Sequence, residues 1–311
     1  MPVNHQFPPE GLRPPASHTL SALRLAAENG TVLEGRAERC SANHTLYFSL
    51  DGICGIMPRE EVVAPWISGA DRDISILSRV GKETCFTVKQ LTCDEKGAPV
   101  AHLSRRAAQE ETMAFFLEHL IPGSILTGRV IRMESFGAFV DIGCGMIALL
   151  PIEHISVSRI SHPKDRFRIG QKILTAVFAI DRDNRRITLT HRELLGTWLE
   201  NASRFRVGET VPGIVRSIKD YGCFVELAPN LSGLADLRDG IRPGDGVSVY
   251  IKSITSERMK IKLHIIEQLP EYQILPPVTY QITDGVIDHW VYSPPDCLRP
   301  TVETDFTAND P

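Results

Sequence analysis

The sequence predicts an all-β-dominated fold: three five-stranded barrels in tandem, joined by short helices and followed by an irregular C-terminal extension. Three observations predict it. The chain repeats itself, the repeats alternate apolar and polar residues with strand period, and Gly and Pro are frequent, at 23 and 21 of 311 residues. Such a composition favours short strands and turns over long helices.

The repeat is clearest between residues 123–192 and 208–266. SFGAFVDI aligns with DYGCFVEL, MIALLPI with LSGLADL, IGQKILTAVFAI with PGDGVSVYIKSI, and RRITLT with MKIKLH. A weaker copy lies at 29–106, where GICGIMPREEV and VGKETCFTVKQL take the middle and late positions. A period of this length, about 85–95 residues, suits independent small domains better than a solenoid. In the middle copy the strands fall near 124–133, 137–142, 146–150, 171–180 and 186–190. The last alternates, with Ile187 and Leu189 inward and Arg186, Thr188 and Thr190 outward. Its counterpart places Met259, Ile261 and Leu263 inward and Lys260 and Lys262 outward. Gly137 and Gly222 mark the tight passage from first to second strand. Five short strands with one irregular loop in so short a span match a Greek-key OB barrel.

The chain accordingly divides into a Pro-rich segment (1–28), expected to be disordered over its first 18 residues, and a degenerate first barrel (29–106). A linker helix (107–122), a full barrel (123–192), a second linker helix (193–206) interrupted by Gly196, and a shortened barrel (207–266) follow. The rest (267–311) is an acidic tail whose Tyr272, Tyr280, Trp290 and Tyr292 predict that part of it packs on a barrel.

Net charge is only −4, but it is unevenly spread. The middle barrel, 123–196, has 11 Lys and Arg against 7 Asp and Glu, and the third, 204–266, has 10 against 7. The first is balanced at 10 each, and the tail has 1 against 8. Two basic barrels beside an acidic tail suit a phosphate-backbone surface with a separate docking or solubilising segment, although Lys and Arg also solvate ordinary barrel faces.

Phe136 and Phe139 flank Gly137, and Tyr221 and Phe224 flank Gly222 in the same way; His44 and Tyr47 occupy these positions in the first copy. An exposed aromatic pair there is a stacking platform for unpaired bases, a contact that contributes about 1–3 kcal/mol per base. The competing reading sends Phe139 and Phe224 into the barrel interior. Arg186, Lys260 and Lys262 on the last strand would bring cations to the same face. Asp181 could accept from a ribose or base, orient an Arg, or stabilise its own turn.

The seven cysteines form no C-x-x-C pair, and no metal-ligand spacing, P-loop or catalytic triad order appears. No cofactor, metal or catalytic role is expected. The scattered thiols suit a reducing, cytoplasmic setting. Neither a secretory leader nor an apolar run of membrane-spanning length is read, and nothing fixes the oligomeric state.

The run G-x-V-x-R…SFGAFVDIG…LLPIEHIS…FRIGQ…FAIDRDNRRITLTHRELLGTWLENA resembles the S1 RNA-binding repeat of the bacterial small-subunit ribosomal protein. The resemblance is strong over 121–200, fair over 204–266 and weak over 29–106. It implies non-catalytic binding of single-stranded RNA, mRNA in particular, near the small ribosomal subunit. It also implies an RNA face of aromatics, a His, an Asp and an Arg. Phe136, Phe139, Asp181 and Arg186 match in the middle barrel; the usual His falls at Pro151, with His154 nearby. Tyr221, Phe224 and Lys260 match in the third barrel, where Thr255 stands in place of the Asp and the loop from Asp236 to Gly244 is short. In the first, Val100 replaces the Arg, which points to docking of protein in place of RNA. A protein-interaction scaffold, or an accessory factor in RNA stability or decay, is the alternative class.

Overall fold

The computed structural model describes residues 3–67, 69–272 and 278–309. Three closed five-stranded barrels carry the architecture, each with the same strand order, first-second-third-fifth-fourth. The first is built from β1 (Leu33–Cys40), β2 (Leu46–Leu50), β3 (Ile53–Met57), β4 (Glu83–Cys93) and β5 (Pro99–Ser104). The second comprises β6 (Ile125–Glu134), β7 (Gly137–Asp141), β8 (Ile147–Pro151), β9 (Lys172–Asp181) and β10 (Arg186–Thr190). The third comprises β11 (Thr210–Lys219), β12 (Gly222–Ala228), β13 (Leu231–Ala235), β14 (Gly246–Thr255) and β15 (Lys260–Gln268). The third and fifth strands pair in parallel and the other pairs are antiparallel, which is the OB arrangement.

The strands of the middle barrel lie within a residue of where alternation puts them. Ile187 and Leu189 are buried, but so is Thr190, against the alternation that points it outward. Its hydroxyl donates to the buried Glu193 carboxylate just beyond the strand. In the third barrel Ile261 and Leu263 point inward, whereas Met259 precedes the strand in a left-handed turn.

The N-terminal segment departs from expectation. A helix, α1 (Leu20–Asn29), buries Leu23 and Ala26 against β4. Its signals are present in sequence: Thr19 caps it, accepting from Ala22 N, and Gly30 ends it. Earlier still, the ordering comes from long-range contacts that no local pattern encodes. Buried Asn4 bonds in both directions with Thr127 and donates to Ile142 O, all on the second barrel. Glu10 is buried against Arg105 at 2.6 Å and Arg79 at 2.7 Å. Burial pushes the Glu10 carboxyl up, but the two guanidiniums outweigh it and hold it at about 2.

Within the first barrel a short turn of helix, α2 (Asp73–Leu77), precedes β4. Between barrels one and two runs α3 (Arg105–His119), capped by the Ser104 hydroxyl accepting from Ala107 N. The second linker is broken as its Gly196 suggests: a 3-10 turn at Arg192–Leu195, then α4 (Trp198–Ala202), opened by a Thr197–Glu200 capping box.

The tail packs where its aromatics predicted. Trp290, Tyr292, Ile287 and Phe306 join one apolar core with Ile125, Leu194 and Trp198 and the interior of the third barrel. The hairpin β16 (His289–Val291) and β17 (Glu303–Asp305) carries Trp290, with Tyr292 just beyond its first strand. The Tyr280 hydroxyl accepts from Leu174 N on β9, and the Tyr292 hydroxyl donates to Asn230 O. Barrels two and three are also joined by a buried ion cluster. Arg166, in the long loop after β8, pairs with Glu226 on β12, which also accepts from Arg216 Nε at 2.5 Å. Among the described residues no helix is long and apolar enough to cross a membrane.

Removing one partner of a buried ion pair strands the others without compensation and costs about 3–5 kcal/mol. Glu226→Ala should therefore lower stability by about that amount in urea unfolding, through the junction of the second and third barrels. A loss under about 1 kcal/mol would show that the cluster does not hold this junction.

Candidate nucleic-acid interface

In each barrel the first strand carries a bulge, after Ala37, Val130 and Val215, and the residue beyond it faces the aromatic of the second strand. The register then runs on across the sheet. In the middle barrel Arg132 faces Phe139, Phe139 faces Leu149, and Leu149 faces Thr188. In the third the row is Ser217, Phe224, Leu234 and Lys262. In the first it is Arg39, Tyr47, Ile56 and His102.

Strand alternation decides which way these residues point. Ala138 and Val140 fill the middle barrel, and Cys223 and Val225 the third. Phe139 and Phe224, between them, face outward and are half-buried. Phe136 is 54% exposed and Tyr221 68%. The ring of Phe136 meets that of Phe139 edge-on at 5.9 Å, and Tyr221 meets Phe224 edge-on at 6.2 Å. Two barrels thus present the same corner of two rings, one half-buried and anchored, the other open to solvent.

The glycine between each pair is a matter of space. A Cβ on Gly137 would stand 2.6 Å from Leu150 O, and one on Gly222 would stand 2.5 Å from Ala235 O. The second strand must pass that close to the third for the aromatic corner to form.

The cations are distributed differently in the three copies. Arg132, which periodicity does not single out because the bulge displaces it, lies with Cζ 4.3 Å from the centroid of Phe139. Such a contact contributes about 0.5–1 kcal/mol at an exposed site and holds the guanidinium beside the corner. In the third barrel Ser217 takes this position, and the charge sits instead at the other end of the row. Lys262 is two strands, or about 10 Å, from Phe224 on the same face. Lys260, also exposed, lies at the head of that strand opposite Thr255.

Arg186 and Asp181 face each other across the β9–β10 turn and both are exposed. Asp181 spends its carboxylate on the turn, accepting from Asn184 N at 3.0 Å and Asn184 Nδ2 at 2.8 Å; these bonds hold its pKa below the usual range. Of the readings open from sequence, self-stabilisation of the turn is the one with a bond behind it. His154 ends the 3-10 turn whose Ile152 N donates to Phe136 O, but its ring turns to the fourth strand. Its ring packs edge-on to Phe178 at 4.2 Å, its Nδ1 is buried without a partner among the described residues, and burial lowers its pKa. It is therefore neutral near pH 7 and offers shape, not charge.

The first barrel keeps the row but uses it internally. Arg39 covers the Tyr47 ring at 3.6 Å, and His44 is tied to Arg59 at 3.0 Å, itself paired with Asp73 at 2.6 Å. No open ring corner results among its described residues. The third barrel has the corner but a short third-to-fourth strand connection, where the middle barrel carries its long loop from Ile152 to Gln171. Among the described residues no cluster of three or more His, Cys, Asp or Glu is gathered as for a metal ion.

Residues 120–192, the middle barrel, match the model of the S1 RNA binding domain. The middle barrel is thus similar to an S1 domain, and the chain is S1-like. The small ribosomal subunit protein bS1 homolog of Bacillus subtilis is 29% identical over 238 residues, which cover 71% of this chain and 60% of that protein. Small ribosomal subunit protein bS1 of Staphylococcus aureus is 32% identical over 189 residues, 56% of this chain and 48% of that protein. The chain thus spans about half to three-fifths of the length of these curated relatives. Among solved structures, a multidomain protein with nucleic acid binding domains from Streptococcus pneumoniae aligns over 76% of this chain and 73% of its own. Its identity is 14% and its TM-score 0.24, so the OB assignment rests on the strand pairing and not on that likeness.

Gly137→Ala should cost about 1–3 kcal/mol through overpacking against the third strand of the middle barrel. It should also perturb the Phe136 and Phe139 ring resonances in NMR spectra. A neutral substitution with unchanged ring shifts would show that the close approach at Gly137 does not shape the corner.

Proposed function

We propose that the chain binds single-stranded RNA without changing it chemically, on the outward aromatic corners of the second and third barrels. The observation that carries this is the repeated corner itself. Two barrels of different sequence hold an edge-on ring pair at the same register, each with a cation in the same row. An anchored ring with an exposed partner suits intercalation or stacking of successive bases, and stacking is tolerant of sequence. Arg132, Arg186, Lys260 and Lys262 supply the phosphate contacts that make such binding fall with salt.

The relatives' names, both of small-subunit ribosomal proteins, support a role in translation, with mRNA as the RNA and the small subunit as the place it is held. A cytoplasmic location and the absence of catalysis follow from that reading. Two barrels locked by the Arg166–Glu226 cluster present their corners at a fixed separation. Binding at one then raises the effective concentration at the other. The first barrel, where His44 is tied to Arg59 and no open ring stands beside Tyr47, is not a stacking platform in this scheme.

Joint replacement of Phe136 and Phe139 by Ala should weaken binding of an unstructured pyrimidine-rich RNA by about 1–3 kcal/mol per stacked base while the circular dichroism spectrum is unchanged. Lys260→Gln with Lys262→Gln should cost less and flatten the salt dependence, by about 0.7 in log–log slope for each phosphate no longer neutralised. Fluorescence anisotropy measures both. Equal affinity of wild type and the double Phe variant would sink the stacking model and favour the scaffold reading.

A further inference from the structure

A cleft of about 410 Å³ opens between the first and second barrels. Arg79 and Lys82, from the segment leading into β4, line one side; Arg129, Ile131, Ile147 and Ile169 of the second barrel line the other. Its charge is not balanced. Arg79 and Arg105 share the single carboxylate of Glu10. Asp141 is spent on the backbone N–H groups of Glu10, Gly143 and Gly145, and burial, with Glu10 beside it, pushes its pKa up to about 7. Arg129 donates to Glu10 O at 2.6 Å, yet its Nε is buried with no partner among the described residues. Lys82 has no ion pair among the described residues; burial first, then Arg79 and Arg129, lower its pKa against the opposing pull of Glu10. Four cations, Arg79, Lys82, Arg105 and Arg129, therefore converge on the two carboxyls of Glu10 and Asp141, an excess of positive charge that a ligand's negative charge would offset.

The cleft continues the aromatic corner. Arg129 faces Asp141 and Asp141 faces Ile147 in the same sheet in which Phe139 faces Leu149. Asp141 and Ile147 are each two residues from Phe139 and Leu149, so they share the outward side of β7 and β8 about 7 Å further along; the N-terminal segment covers Asp141, and Ile147 is open. Exposed Ile131, Ile147 and Ile169 border the passage. Apolar borders suit bases or ribose, and the cations beyond them suit phosphate.

We propose that an RNA strand stacked on Phe136 and Phe139 runs along the outer side of β7 and β8 into this cleft, where Lys82, Arg79 and Arg129 hold its phosphates. This rests on the RNA reading above. It gives the first barrel a part in binding through its edge, although its own aromatic corner is closed. Arg79 and Arg129 also brace the N-terminal segment, so Lys82, exposed and outside those bonds, is the residue to vary.

The test uses the full chain and two fluorescent oligouridylates, one of about 4 nucleotides that covers the corner alone and one of about 16 that reaches the cleft. Lys82→Gln should weaken the longer RNA roughly threefold to tenfold and flatten its log–log salt slope by about 0.7. Lys82→Glu should weaken it further. The shorter RNA should bind all three proteins alike, and Arg204→Gln, an equal charge change on an exposed residue after α4, should leave both RNAs unaffected. Unchanged affinity and slope for the longer RNA in both Lys82 variants would overturn the proposal, as would an equal loss in Arg204→Gln. In either case, loss of binding on replacing Phe136 and Phe139 would keep the RNA reading intact. Wild type that binds neither oligomer would defeat both.

Discussion

Each barrel of this chain closes through a first strand that serves two partners in succession. β1 pairs with β4 through Leu33–Arg36 and then with β2 from Ala37 on; β6 and β11 divide their lengths between β9 and β7, and between β14 and β12, in the same way. A flat strand cannot make that exchange, and the bulge in each first strand supplies the bend. The functional face follows from this closure. The bulge sets which residue lies opposite the second-strand aromatic, and the tight passage at Gly137 and Gly222 turns the neighbouring ring outward beside it.

From the same backbone, the three copies diverge by what fills the row. Arg over Phe with an open neighbouring ring gives a platform; Ser, Phe and a distant Lys give a second, with its charge displaced. Arg over Tyr with His44 tied down gives a closed face. The divergence has physical consequences because the barrels are not loose beads. Apolar packing, the Arg166–Glu226 cluster and the tail aromatics fuse barrels two and three, while Glu10 and Asn4 staple the N-terminal segment across barrels one and two. An extended ligand therefore meets a surface of fixed geometry, and an excess of cations over carboxyls lies at one of its seams.

Much of this is legible in sequence, for identifiable reasons. Internal repetition and alternation locate the strands of the middle barrel, since both report backbone period directly. Recurrence of a ring on either side of a glycine locates the aromatic corners, but whether Phe139 and Phe224 face in or out stays open until the folded sheet buries their neighbours and leaves them outward. What escapes depends on bonds between residues far apart in the chain. Asn4 and Thr127 are 123 positions apart, so the order of a Pro-rich segment cannot be read locally. Thr190 is buried by a carboxylate three residues on, outside the strand. Arg132 is missed because a bulge breaks the period that would align it with Phe139. His154 and Asp181 stand out by position alone, and the structure spends one against Phe178 and the other on its own turn.

On the proposed function, the outward corners of the second and third barrels, and not some other surface, meet RNA bases. Photocrosslinking with a 4-thiouridine-containing oligonucleotide, followed by mass-spectrometric mapping of the modified peptides, tests it most directly. Crosslinks should concentrate at Phe136–Phe139 and Tyr221–Phe224, with few at Tyr47. Crosslinks confined to the tail hairpin at 289–305, or to the closed face of the first barrel, would contradict it.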